Sequence, residues 1–493
     1  MNAYNQLLAH SKKISHFQHL ASITGWDQAA VMPSGGASAR SEAMAELSLH
    51  IHQLSTQPQL GEWFSEAETE ELDNTQQAIV REMKQEWLDA TLLPDDLVAA
   101  KSLAGSRCEH AWREQRPNND WSGFAKNWQE VVKLSQEEAQ IRAEHFQCTP
   151  YDAMLSQFEP GTTSASLDVV FADVKSWLPD MIDQAIAKQS GETIIQPNGH
   201  YPTHIQKSIG LDVMNLLQFD FNHGRLDESV HPFCGGVPSD VRITTRYDEN
   251  EFVQAIMGIV HETGHARYEQ GLPRSLAGLR AGHARSMGIH ESQSLFFEMQ
   301  LGRNPHFIQH LARLSTGRFD SQQPNLFTVD NLQKLYTRVK KDFIRVDADE
   351  LTYPAHIILR YEIERDLMNG DITVSDVPEL WNEKMQQYLG LSTRGNDRLG
   401  CMQDIHWTDG AFGYFPSYTL GAMYAAQFMA TMRQSIDIEG VLDSGDFSPI
   451  FTWLADNVWQ KGSLYTTNEL ITQATGETLN PQYFKRHLEQ RYL

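Results

Sequence analysis

The sequence predicts a mainly α fold carrying one small β-sheet. Helical periodicity dominates the 493 residues and strand signals are sparse. No Pro/Gly/Ser-rich linker, low-complexity run or fixed-period repeat divides the chain, so one large continuous fold or closely packed subdomains are expected rather than a string of separate domains.

Taken in order, residues 3–24 and 38–56 read as two helices joined by the turn Met32-Pro33-Ser34-Gly35-Gly36. The acidic segment from Trp63 to Ala90 continues in the same style. Arg107 to Phe146 is a long helical region broken near Pro117-Asn118-Asn119-Asp120, and Ala165 to Gln189 follows a Pro160-Gly161 break. The best strand candidates are Thr193-Ile194-Ile195 and Val241-Arg242-Ile243-Thr244-Thr245. A sheet edge beside the helix that follows could hold an extended peptide by main-chain hydrogen bonds. Ala355 to Asn369 is helix-like, and Gly410 to Met432 has no charge. Pro416, Ser417, Thr419 and Gln427 make that last segment a poor membrane span, so it reads as a loop entering a buried helix.

A formal charge of -24 argues against nucleic acid or an anionic membrane surface as partner. Cys108, Cys148, Cys234 and Cys401 are far apart, which indicates neither a zinc ribbon nor a disulfide framework. The N-terminal stretch lacks an apolar signal-peptide core, and a cytoplasmic protein is expected.

The chemistry concentrates between Asp248 and Pro273. Asp248 is placed to cap a helix with Glu251 as capping-box partner, and Gly271 and Pro273 supply the stop, giving roughly 22 residues or about 33 Å. Inside it stand His261, Glu262 and His265. Residues four apart share a helix face, so the two imidazoles converge on a point that suits one divalent ion, and Glu262 is placed to take a proton from water there. With 20 His in the chain, such a motif arises by accident roughly one time in twenty. The bland alternative is an amphipathic helix with two His on its polar side. Against it, His261 follows the apolar run Ala255 to Val260, where two His and a Glu would need a compensating cation.

A catalytic zinc needs a third protein ligand and an open position. Tyr268 and Gly271 stand where a metzincin requires Gly and His, which excludes that class. His283, His290 and Glu291 remain, and Glu291 is preferred because it opens a new helical run after Gly288. A second-helix carboxylate beside two His is the thermolysin-like ligand set.

These residues belong to a longer ordered series: His231-Pro232-Phe233, Asp240-Val241-Arg242-Ile243-Thr244, His261-Glu262-Thr263-Gly264-His265, His290-Glu291-Ser292-Gln293, Ile344-Arg345-Val346-Asp347-Ala348-Asp349, and Gly400-Cys401-Met402-Gln403-Asp404-Ile405-His406-Trp407. Trp26-Asp27, Met32-Pro33, Tyr151-Asp152-Ala153 and Gly413-Tyr414-Phe415-Pro416 are weaker echoes. On these motifs the chain resembles the carboxypeptidase Taq family of metallocarboxypeptidases over nearly its full length. The resemblance implies a large helical, saddle-like metallopeptidase fold with a deep substrate groove and one small β-sheet beside the metal helix. It implies a single catalytic domain over 1–493 with an N-terminal helical subdomain of about 1–90 flanking the groove. It also implies a homodimer that releases single residues from peptide C-termini, with one zinc, or cobalt, per chain.

Physical roles attach to the matching positions. His261, His265 and Glu291 would hold the metal, and Glu262 would be the general base. Arg345 is the first choice to bind the substrate's α-carboxylate and Arg242 the second, because a guanidinium fork fits a carboxylate. Asp347 and Asp349 offer Arg345 a structural salt bridge instead. His406 and Tyr414 are candidate donors to the oxyanion, with Tyr418 competing. His290 is expected to support a ligand from behind. An endo-acting oligopeptidase of the same metal class and a non-catalytic helical protein with a structural zinc are the alternatives.

Overall fold

The computed structural model describes residues 2–230, 232–319 and 323–493, so His231 lies outside the described residues. The chain is mainly helical, with a single three-stranded sheet among those residues. The opening helix runs Ala3–Ala30 and is capped by the Asn2 side chain; Ala37–Ser55 follows after the expected turn. The acidic segment is two helices, Gln59–Ala67 and Asn74–Thr91, because Asp73 and Gln76 form a capping box that restarts the helix. The first, third and fourth of these helices share a small core of Tyr4, Leu7, Phe64, Ile79 and Met83 that closes on Leu279 and Ala281. The next pair, Asp95–Gln115 and Trp121–Phe146, flanks the expected break, although the first begins a dozen residues earlier than Arg107. Ser164–Gln189 forms as expected.

Thr193–Ile195 is not a strand. The Asn331 side chain accepts from the Ile195 amide at 2.7 Å and donates to its carbonyl at 3.0 Å, so one amide group replaces a neighbouring strand. The sheet is built from β1 (Gly224–Glu228), β2 (Cys234–Val237) and β3 (Asp240–Thr245), with β3 central, parallel to β1 and antiparallel to β2. Val241 and Ile243 pack on Ile259 and Ala266, which fixes the sheet beside the helix that bears the paired histidines.

That helix spans Val253–Gly271, later than expected at its start. Asp248 turns back on the Asn250 amide, while the Glu251 carboxylate accepts from the Val253 and Gln254 amides and takes over the capping role. The helix carrying Glu291 runs Met287–Leu295, so Glu291 sits in its second turn, and a π-helical turn follows over Phe296–Gly302. The uncharged segment is a loop leading into Pro416–Met432, a helix buried on nearly every face. Among the described residues no helix is long and apolar enough to cross a membrane.

Two glycines allow these helices to approach. A Cβ on Gly264 would stand 2.6 Å from the Gln293 carbonyl oxygen, and one on Gly421 would stand 2.8 Å from Glu291 Cβ. Both distances are too short for any side chain, so the paired histidines and Glu291 meet only because these two positions lack one.

Candidate metal centre

His261, His265 and Glu291 each offer a ligand atom, and all three atoms lie within 4.8 Å of one another. His265 Nε2 and Glu291 Oε2 are 3.4 Å apart. Ligands about 2.0–2.1 Å from a tetrahedral ion stand roughly 3.4 Å from each other, so this pair has the separation that a bound ion requires. His261 Nδ1 lies 2.8 Å from Glu298 Oε2, which leaves Nε2 free for the ion. His265 Nδ1 lies 2.6 Å from His290 Nδ1, and His290 Nε2 lies 2.9 Å from Glu269 Oε1. With a cation on His265 Nε2, its Nδ1–H donates to His290, which in turn donates to Glu269. His290 thus stands behind His265, a candidate ligand.

Electrostatics favour a cation here. Burial pulls His261 down, but its hydrogen bond to Glu298 and the charges of Glu291, Glu298 and Glu262 outweigh it and hold the pKa at about 10. Three carboxylates around one imidazole leave negative charge that a divalent ion would neutralise. Burial pushes His265 down to about 4, the neutral form that a ligand needs. The Glu262 carboxyl is pushed up to about 7, chiefly by burial, and its Oε2 is buried without a hydrogen-bond partner among the described residues. The residues present therefore fit a divalent ion with a base beside it. His283 is not in the group; it lies near Arg280 at 3.4 Å.

Glu298 and Glu269 are the partners that sequence reasoning missed. Glu298 also accepts from Arg303 at 2.6 Å, and Arg303 helps to hold its carboxyl down at about 2 against the opposing effect of burial. Its place seven positions after Glu291 was a helical-spacing signal, though the π-turn decides where it points.

Beside the metal group opens a cavity of about 240 Å³. Its walls include His261, Glu291, Arg345, Tyr353, Tyr418 and Ala422. Arg345 is buried; Nε donates to Asp404 at 3.0 Å and Nη1 to the Tyr353 hydroxyl at 2.7 Å, while Nη2 has no acceptor among the described residues. The salt-bridge partner is thus Asp404 and not the neighbouring Asp347 or Asp349; Asp349 instead receives the Thr352 and Lys340 amides. Asp404 also holds Arg360, and the two guanidiniums keep its buried carboxyl well below the usual range. Gln403 accepts from the Arg345 amide at 2.8 Å, so two of the ordered motifs meet at one point.

Tyr418, rather than Tyr414, lines this cavity. Tyr418 Oη is 3.4 Å from His406 Nε2, and the Tyr414 ring packs on His406 at 5.3 Å. Burial pushes His406 down to about 4 and Tyr414 up to about 12, so both are neutral hydrogen-bonding groups near pH 7. Arg242 lies in β3, outside that cavity lining, doubly bonded to Asp240 at 2.6 and 2.9 Å and stacked 4.4 Å over Trp26.

Metal analysis should find about one divalent ion per chain, and Glu291→Ala should weaken binding severely while His283→Ala leaves it unchanged. The reverse result would move the third ligand to His283.

Residues 6–492 match the model of the carboxypeptidase Taq (M32) metallopeptidase family. Carboxypeptidase 1 of Bacillus subtilis (strain 168) is 36% identical over 98% of this chain and 96% of its own. Thermostable carboxypeptidase 1 of Thermus thermophilus is 34% identical over 99% of this chain and 98% of its own. The solved structure of Trypanosoma cruzi metallocarboxypeptidase 1 superposes with a TM-score of 0.97 at 44% identity, covering 99% of each chain. With nearly the whole chain matched and the paired histidines, Glu262 and Glu291 gathered in one place, this protein belongs to the carboxypeptidase Taq (M32) family of metallopeptidases.

Proposed function

We propose that the protein removes single residues from the C-termini of peptides, using one divalent ion held by His261, His265 and Glu291. The observation that carries this reading is that His261 and Glu291 share a cavity with Arg345. A hydrolytic centre and a cation for the substrate's terminal carboxylate thus face the same chamber. Zinc suits the two-His-plus-Glu donor set, and cobalt is the alternative. When bound, the ion supplies a Lewis acid for the scissile carbonyl and lowers the pKa of the attacking water.

The chain's own residues do the rest. Glu262, poised near neutrality by burial, takes the proton from the attacking water and passes it to the leaving amine. Glu298 and His290 hold the two imidazoles in the tautomer that presents Nε2. Arg345, fixed by Asp404 and Tyr353, offers its remaining guanidinium edge to the α-carboxylate. Tyr418, which lines the cavity, is the first choice of oxyanion donor, with Tyr414 and His406 packed against it. Arg242 is a weaker candidate for the substrate, since Asp240 and Trp26 already engage it. In this reading the helices of about 1–90 flank the groove, and the enzyme is a homodimer as the family resemblance implies. Four free cysteines favour a reducing compartment such as the cytoplasm.

Digestion of a short peptide with a free C-terminus beside its C-terminal amide, read by mass spectrometry, tests the proposal. Successive single-residue losses from the acid alone are expected. Internal fragments, or equal cleavage of the amide, would make it an endo-acting oligopeptidase; no cleavage of either by metal-loaded protein would leave a structural zinc.

A further inference from the structure

The segment that carries Arg345 has almost no regular structure. Between the helices Val329–Tyr336 and Tyr353–Asn369 it contains only a single 3-10 turn at Arg345–Asp347. A chain without its own hydrogen-bond ladder holds a side chain in place only if it is tied from outside. One tie is Gln403, which accepts from the Arg345 amide and donates to the Phe343 carbonyl at 3.0 Å. The second is Glu350, five residues after Arg345. Its side chain is buried and lines the same cavity.

Glu350 points away from Arg345 to the last helix, Gln482–Tyr492. It accepts from His487 Nε2 at 2.5 Å, Arg491 Nη1 at 2.8 Å and the Tyr492 hydroxyl at 2.9 Å. Burial alone would raise this carboxyl, but Arg491 and His487 hold it far below the usual range, with Arg303 contributing from the cavity side. A buried carboxylate with three donors from one helix is a rigid attachment, because any displacement leaves charge unpaired in a low-dielectric site. Glu82 with Arg285, another buried pair, lies elsewhere and ties Asn74–Thr91 to the body.

We infer that the helix Gln482–Tyr492 is a clamp on the carboxylate-binding segment, and that His487, Arg491 and Tyr492 are positioning residues that hold Arg345 in register through Glu350. This rests on the reading of Arg345 as the anchor for the substrate's α-carboxylate. Loosening the clamp should raise KM for free-acid peptides and leave kcat and metal binding near their normal values, since the hydrogen bonds of Glu350 run to His487, Arg491 and Tyr492 and to none of His261, His265, Glu291 or Glu262.

The test is steady-state kinetics of the metal-loaded full chain on matched acid and amide peptides, for Arg491→Ala, Arg491→Lys, Tyr492→Phe and Arg345→Ala, with metal content measured for each. Arg491→Ala should raise KM on the acid about tenfold and change the amide by less than about twofold. Arg491→Lys should recover most of the loss, and Tyr492→Phe, which removes one hydroxyl without a change of shape, should show a smaller shift of the same kind. If Arg345→Ala collapses the acid preference while Arg491→Ala and Tyr492→Phe leave it intact, or lower kcat and metal content together, the clamp is refuted and the anchor stands. If Arg345→Ala leaves the preference intact, the anchor fails and the clamp with it.

Discussion

Glu262→Gln should lose about 10²- to 10⁴-fold in turnover while keeping one divalent ion per chain and an unchanged fold. The substitution preserves the size of the side chain and removes only its ability to accept a proton. Burial makes that proton affinity unusual: the carboxyl is pushed up to about 7, where a base can take a proton from water and still release it to an amine. Its Oε2 has no hydrogen-bond partner among the described residues, so the exchange breaks no hydrogen bond to them there. Turnover and bound metal measured on the same preparation decide the matter. A parallel fall in both would mean that Glu262 maintains the site and that another group is the base.

The candidate ligand set was legible because its gathering rests on local rules. Residues four apart on one helix share a face, and a carboxylate in a second helix supplies the third donor. What surrounds the ligands was less legible. Glu298 reaches His261 through a π-turn, and no hydrophobic period announces one. Glu269 is on the metal helix itself, yet its link to His265 runs through His290 on another helix. Arg345 had two acidic neighbours in sequence, but its partner is Asp404, 59 positions away, because chain proximity says little about which carboxylate a buried guanidinium meets. The same limit applied to the fold. β3 alternates and was foreseen, whereas the charged β1 and glycine-rich β2 give no strand signal and are held in place by their pairing with it. The small separations at Gly264 and Gly421 likewise exist only once the helices have met.

Arg345→Ala should cost about 30- to 1000-fold in kcat/KM on free-acid peptides and much less on their amides. A metal and a base hydrolyse any peptide bond that they reach, so restriction to the last bond must come from a group that engages the terminal carboxylate. Arg345 has the required geometry. Asp404 and Tyr353 hold Nε and Nη1, and the buried fork faces the chamber that His261 and Glu291 also line. A charge-assisted contact in such a site is worth roughly 2 to 4 kcal/mol, which is the stated range in rate. Its loss leaves the ion, Glu262 and Tyr418 in place, so amides, which never used the contact, define the background. Truncation also leaves Asp404 with Arg360, so that carboxylate keeps one buried partner and the fold should survive. Equal losses on acid and amide would show that Arg345 only supports the cavity wall, and would turn the search for the anchor to Arg242, whose bonds to Asp240 would then have to open to receive a substrate.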